Sequence, residues 1–559
     1  MLATLAWVPG GFTRFVFAKL LVLAIACAIA ATLPPSGRLP RQLVVAMLVG
    51  TGVFVLAAVL GETPVASLVG RWPRYEGLPV LGMYAASAWL GARVVGRGAA
   101  RIVHLAHAAS GMALVLLAFS LLELGDSSPL GDSTLDRAGS LLGNATDQGL
   151  VAMMAAVVIA SAAIDRQDWF LLSGLLAAVA TVAVSGSRIA LAMTLLSLLA
   201  LAVARRRTSA NVVAGSLGLA AITVVVAVLT PTTRDRLLSL ATGEGRLTQW
   251  RLTLDLIADH PLLGVGPSGY VDAFGAYESR AWVDFTGART MADSPHNIAL
   301  QVLAAGGILL FLCLVVLVVL TVRRARHVVL EHPEAWGPAV AVGAYGLAML
   351  ANFTAAGPTC FAAFLVGAVV AVPVLADSAE ARWIGPVRSA LFGVATIVLL
   401  MSCIAETALN DGIEAAGRGD TDTASQELDT ADRWRPLDSD ISMLGAQSLA
   451  AAASAGDVDA AEAAERRARA SLRRTPDAYA SRVALGVALL AQQQPQPAEQ
   501  ELSEAVGLAP ERPDAYLQRA IARLTLGDRA GAEADARRVL SIEPRSRIAR
   551  RILALIAEA

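Results

Sequence analysis

The sequence predicts an all-α protein: a polytopic membrane helix bundle of about twelve transmembrane helices, followed by a soluble domain of helical repeats. Three observations carry this. Of the 559 residues 56% are hydrophobic, and mean hydropathy is +0.59, far above a soluble average. Apolar runs of about 20 residues, the length that crosses a hydrocarbon core as a helix, recur between residues 14 and 407. Beyond residue 410 they stop, and Ala, Glu, Asp, Arg and Gln take over in helical periodicity.

The apolar runs lie at 14–33, 41–60, 78–94, 101–122, 146–165, 167–184, 187–204, 209–229, 296–322, 336–357, 359–377 and 387–407. The first contains KLLVLAIACAIAATL, which has the look of a cleavable leader, but so many spans follow that a retained helix is expected. Arginines orient the bundle. Arg93, Arg97 and Arg101 share one connection, Arg205 to Arg207 a second, and Arg323, Arg324 and Arg326 a third, and all three have the same parity. The positive-inside rule assigns them to the cytoplasm. The loops at 123–146 and 230–295 then face outside, as do the N-terminus and everything after the last span. The expected domains are residues 1–409, with the large external loop 230–295, and 410–559. In the second, Pro510 and Pro544, and Ala498 and Ala532, are each offset by 34 residues, the period of a tetratricopeptide repeat, and Gly-Asp at 419–420 and 456–457 marks weaker copies. Such hairpins stack because one alone cannot bury its apolar stripe. A protein-binding or packing surface is the default expectation for them.

Charge and cysteine usage exclude several functions. With 45 basic and 46 acidic residues the net charge is −1, so no global field attracts nucleic acid. Cys27, Cys313, Cys360 and Cys403 each sit inside an apolar run, with neither disulfide nor zinc spacing. His104 and His107 have the spacing of a metal pair, but no acidic or thiol partner accompanies them; no metal site and no cofactor are expected.

Chemistry-bearing residues gather on the outer side. Arg188 opens the run that ends at Arg205, about 25 Å away along a helix, so it lies near the outer face after the small residues of SGS. An interfacial arginine that snorkels to lipid is the bland alternative. In GEGRLTQWRLTLDLIADHPLLGVGPSGY an amphipathic helix places Arg246, Trp250 and, less well aligned, Arg251 on one region of surface, and a glycine turn follows. Guanidinium forks suit pyrophosphate, and a glycine turn can offer N–H groups to an anion. A membrane-interface helix is the simpler reading of the same pattern. His296 ends the loop in DSPHNIAL, with Asp293 three residues earlier to orient it. Base, ligand and helix cap all remain open for it.

The order of these pieces resembles the O-antigen ligase family, the superfamily that also holds polysaccharide polymerases and protein O-oligosaccharyltransferases. The resemblance rests on SR at a helix start, GRLTQW, HPLLGVGPSGY and HNIALQVLAAGG, with RYEGL at 74–78 and LGNATDQGL at 142–150 similar to outer-loop motifs, the latter with Ala-Thr where Pro-Asn is common. It implies an inverting, metal-independent glycosyltransferase in the plasma membrane of a bacterium, which passes a glycan from a polyprenyl-pyrophosphate donor to a hydroxyl of a lipid, glycan or protein acceptor. It further implies Arg188, Arg246 and His296 as catalytic residues, the arginines on pyrophosphate and the histidine as base, with Arg251, Trp250, Arg74 and Asp293 binding substrate. A polymerase or a protein glycosylating enzyme of the same superfamily is the alternative, the repeat domain then holding a protein partner. Outside the class stand a transporter, which should show ionisable residues at mid-membrane, and a scaffold, which needs no arginine and histidine cluster.

Overall fold

The computed structural model describes residues 1–96, 98–125, 139–163, 166, 168–206, 210–230, 233–234, 242–288, 291–374 and 383–558. Arg97, Arg207 and most of the 123–146 loop lie outside the described residues. Within them the protein is all-helical, and its only β-type pairing is an isolated bridge between Arg38 and Val372.

A helix occupies each of the twelve expected positions. Six are long and apolar enough to cross a membrane: Arg41–Leu60, Ala100–Leu124, Ala145–Ala163, Arg188–Arg205, Ile298–Glu331 and Ile384–Gly417. Others, such as Phe17–Thr32, Trp169–Val184 and Ala356–Val370, are apolar but shorter. With 16 residues Phe17–Thr32 rises about 24 Å, short of a full hydrocarbon core. In an apolar medium each backbone N–H and C=O must be paired within its own segment, which is why Ala/Val/Leu runs adopt this form. Ala145–Ala163 is the centre of the bundle. Leu150 to Ala160 are fully buried against Ala99–Leu124, Trp169–Val184, Arg188–Arg205 and Trp336–Ala348.

Arginines at one end of the bundle cap helix C-termini. Arg93 Nε and Nη2 donate to the carbonyls of Ala30, Ala31 and Leu33 at 2.6, 3.2 and 2.7 Å. Arg205 Nη1 donates to Pro333 O at 2.8 Å in a short helical turn rather than at a C-terminus, whereas Arg324 Nε donates to Val370 O, the last residue of Ala356–Val370, at 3.3 Å. Guanidinium charge there meets the negative end of the helix dipole. Helices Leu78–Val94, Arg188–Arg205, Ile298–Glu331 and Ala356–Val370 all end on this arginine-rich side. Their N-termini therefore converge at the opposite end of the bundle.

Local structure sharpens two features of the sequence. The span expected to open at 296 begins at Ile298, because Asn297 is its N-cap and accepts from the N–H groups of Ala299 and Leu300. The glycine turn of HPLLGVGP packs backbone to backbone against a break in this span. Gly306 and Gly307 leave helical geometry, Ile308 N donates to Pro261 O at 2.9 Å, and Val265 N to Ala304 O at 2.8 Å. A Cβ on Gly264 would sit 2.2 Å from Ala304 O, and one on Gly307 2.2 Å from the Leu262 carbonyl. Only glycine permits this approach.

Helix Ile384–Gly417 runs without a break through residues 409 and 410 and packs on Thr421–Trp434, the first of the repeat helices. Seven more follow, up to Arg547–Glu558, each packed on the next. The Gly-Asp signature has a structural cause. Gly419, Gly456 and Gly527 take φ of +77°, +104° and +84°, and the aspartate after each caps the next helix, Asp420 from Thr423 N, Asp457 from Ala460 N and Asp528 from Gly531 N.

Candidate active site

At the end of the bundle opposite the arginine caps, the peptide Asp293–His296 is held by three consecutive carbonyls. Arg74 Nη2 donates to Asp293 O at 2.5 Å, Gln249 Nε2 to Ser294 O at 2.7 Å and Trp250 Nε1 to Pro295 O at 2.9 Å. Gln249 and Trp250 lie on helix Thr242–Asp259, so the amphipathic helix read from the sequence clamps the histidine peptide. Ser294 Oγ accepts from His296 N–H at 3.2 Å. So held, His296 takes φ +51°, a left-handed conformation that a residue with a Cβ adopts at a cost. Its ring, half-buried, lies 5.0 Å from that of Phe353.

The charge environment keeps this imidazole neutral. Burial, the largest cause, and the charges of Arg246 and Arg74 outweigh the opposing pull of Asp293, and the pKa falls to about 4. Asp293 itself is ion-paired with Arg74 Nε at 3.2 Å, so its effect on His296 is exerted through charge.

The segment between Gly70 and Gly77 supplies the second wall. Arg74 stacks over Phe353, 5.0 Å from the ring centroid, and approaches Glu76 at 3.7 Å. Glu76 accepts hydrogen bonds from Gln301 Nε2, at 2.5 Å, and from the Thr354 hydroxyl. Burial raises the pKa of this carboxyl against the opposing influence of Arg74. Among the described residues Arg74 Nη1 and Gln301 Oε1 are buried without a hydrogen-bond partner. A buried acceptor without a hydrogen bond, beside the loose ion pair of Arg74 Nη1 with Glu76, suits the polar atoms of a ligand.

Arg188 opens helix Arg188–Arg205, whose N-cap Ser187 accepts from Ala190 N at 3.3 Å. The turn before it presses against Gly149, where a Cβ would lie 2.7 Å from both Ser185 Oγ and Ala190 Cβ. The LGNATDQGL segment thereby sets where Arg188 stands. Arg246 is solvent-accessible, and burial of its guanidinium, then the like charge of Arg188, depress its pKa. The two guanidinium groups thus lie within electrostatic reach of each other.

Of the residues singled out from sequence, the structure brings Arg74 into contact with Asp293, sets Trp250 on Pro295 beside His296, and places Arg246 and Arg188 within electrostatic reach of the group. Arg251 is exposed, and among the described residues no hydrogen bond or ion pair joins it to the cluster. Sequence reasoning missed Glu76, Gln249, Gln301, Phe353 and Thr354. Glu76 and Gln301 stood inside quoted motifs and were legible as polar residues in apolar surroundings; Phe353 and Thr354 gave no signal. His107, weighed as half of a metal pair, bonds Asp168 Oδ2 at 2.9 Å.

A family likeness falls in the stretch that carries both arginines and the histidine. Residues 173–315 match the O-antigen ligase family. The O-antigen ligase match contains Arg188, Arg246, Trp250, Arg251, Asp293, His296 and Gln301, whereas Arg74 and Glu76 precede it. With the membrane-length helices it supports a membrane enzyme of glycan transfer. No curated protein matches the chain. Similar solved structures include an APC/C hetero-tetramer, Cut9-Hcn1, at 14% identity over 85% of this chain and 87% of that one with a TM-score of 0.25. Another is yeast Tom70, at 13% over 74% and 94% with a TM-score of 0.20. At such scores neither likeness carries an argument.

Proposed function

We propose that the protein transfers a glycan from a polyprenyl-pyrophosphate donor to an acceptor hydroxyl at the outer face of the bacterial plasma membrane. The observation that carries this reading is the placement of His296, a half-buried imidazole freed from capping by Asn297 within the matched stretch, with burial and the nearby Arg246 and Arg74 lowering its pKa. A neutral ring can accept a proton at ambient pH. The acceptor oxygen attacks the anomeric carbon from the face opposite the pyrophosphate, so configuration inverts. The bond from that carbon to the leaving oxygen breaks, its electron pair stays on the pyrophosphate, and the acceptor proton passes to His296. Arg188 and Arg246 meet the charge that develops on the leaving group, the role a metal ion plays in other transferases. Glu76, Gln301 and Arg74 lie where the acceptor would bind. The acceptor is a lipid, glycan or protein hydroxyl, and the repeat helices from Thr421 onward form an external domain.

The test is His296→Gln in purified enzyme with lipid-linked donor. An amide cannot serve as base at neutral pH, so transfer is expected to fall by about 10²-fold while donor binding persists. Because Asn297 caps the helix, the variant is expected to stay folded; transfer at the parental rate would remove the histidine from the mechanism.

A further inference from the structure

The hexapeptide Arg71–Glu76 divides its side chains between two partners. Arg74 and Glu76 belong to the site, whereas Arg71, Trp72 and Tyr75 are taken by the repeat helices. Arg71 Nε donates to Asp440 Oδ1 at 2.7 Å, and Trp72 N–H donates to Asp440 Oδ2 at 2.7 Å, so both oxygens of one carboxylate on helix Ser439–Ser454 hold this loop. Arg435, between the repeat helices, donates to the Tyr75 hydroxyl at 3.1 Å and stacks over the Tyr75 and Phe17 rings at 4.8 Å. The side chains of Arg71 and Asp440 are only 4% and 1% exposed, so neither can exchange its partner for water.

The loop also has little freedom to absorb a displacement. Its ends meet in backbone contact, with Cβ positions on Gly70 and Gly77 falling 2.4 Å from Gly77 N and 2.2 Å from the Val69 carbonyl carbon. Arg71 Nη1 further binds Asp272. The neighbouring Tyr270 hydroxyl pairs with Thr253 at 2.9 Å, on the helix that carries Arg246 and Trp250. One guanidinium thus ties the repeat helices to both walls of the site. Arg512 adds a second tie, a two-pronged contact with Glu278 at 2.9 and 2.5 Å.

We propose that the repeat helices are a working part of the transfer site, with Asp440 a positioning residue that sets Arg74 and Glu76 through Arg71 and Trp72. This rests on the functional reading above. A misplacement on the order of 1 Å in groups that hold a base is enough to cost about 10²-fold in rate. Arg188 and Arg246 stand outside the loop, so donor affinity is expected to hold while turnover falls.

The experiment compares full-length Asp440→Asn with full-length Asp535→Asn in proteoliposomes. Asp535 is equally buried and binds Arg519 at 2.8 Å and Arg523 at 3.0 Å, but touches no site loop. Two measurements are made: kcat and donor KM for glycan transfer, and hydrogen exchange of amides 70–77 and 293–297. The expected result is that Asp440→Asn lowers kcat by about tenfold or more with donor KM little changed, and speeds exchange in both segments, while Asp535→Asn does neither. Equal losses in the two variants, or unchanged exchange at 293–297 in Asp440→Asn, overturn the proposal. Should the asparagine protein fail to fold, Arg71→Lys, which cannot span both carboxylates, takes its place with the same expectation. If the parent protein transfers no glycan, the functional reading fails, and the exchange measurement still decides the coupling.

Discussion

Acidification probes His296 most directly. An unperturbed imidazole has a pKa of about 6.5, so at pH 5.5 only about a tenth of it is neutral. With its pKa at about 4, His296 is still roughly 97% neutral at pH 5.5. The enzyme is therefore expected to keep nearly its full rate there and to lose it only as pH falls through about 4. The difference of about 2.5 units corresponds to roughly 3 kcal/mol against protonation in the folded protein. The sign for stability follows: the unfolded chain binds the proton first, so this contribution is complete above pH 6.5 and lost as pH drops from about 6.5 to about 4. Initial rates of transfer from a labelled lipid-linked donor, taken well below its KM between pH 3.5 and 8 so that kcat/KM reports the free enzyme, measure the limb. Arg246→Gln removes one of the two cations that depress the group, and its limb is expected to move upward. A half-maximal rate near pH 6.5 in the parent, or an identical acid limb in His296→Gln, would refute the assignment of the limb to this residue.

Other expectations concern the arginines, the packing beneath them and the topology. Arg188→Lys and Arg246→Lys are expected to lose most transfer activity with the fold intact, since an ammonium does not reproduce a bidentate fork, whereas Arg251→Lys, exposed and outside the cluster, should stay within about threefold of the parent; steady-state kinetics distinguish them. Gly149→Ala places a methyl group 2.7 Å from Ala190 Cβ and is expected to cost about 1–3 kcal/mol by overpacking, with a fall in turnover because the helix start at Arg188 must shift; thermal denaturation and rate are read together. Cysteines at the exposed positions Ala281 and Asp422 should react with an impermeant thiol reagent in intact cells, and labelling only after lysis would place the large loop and the repeat helices on the cytoplasmic side.

The sequence by itself determined the helical class, the position of the apolar helices and the repeats, and it singled out Arg188, Arg246 and His296 as candidates. These are properties of local pattern: runs of apolar residues have one way to satisfy their backbone in an apolar medium, and a Gly-Asp pair at a fixed period states a helix end and the next cap. What only the tertiary structure decided is which role each polar residue holds. The difference between His296 and Asn297 as helix cap turns on φ at one residue, and the use of Trp250 as a clamp on Pro295 turns on a contact across 45 positions. Glu76 meets Thr354 across 278 residues, and Arg71 meets Asp440 across 369. No periodicity reports such pairs, because a hydrogen bond is set by distances of about 3 Å between groups whose proximity depends on how the helices pack. The span break at Gly306 and Gly307 shows the same limit. Its glycines are plain in the sequence, but the backbone of Leu262 that requires them arrives from a different loop.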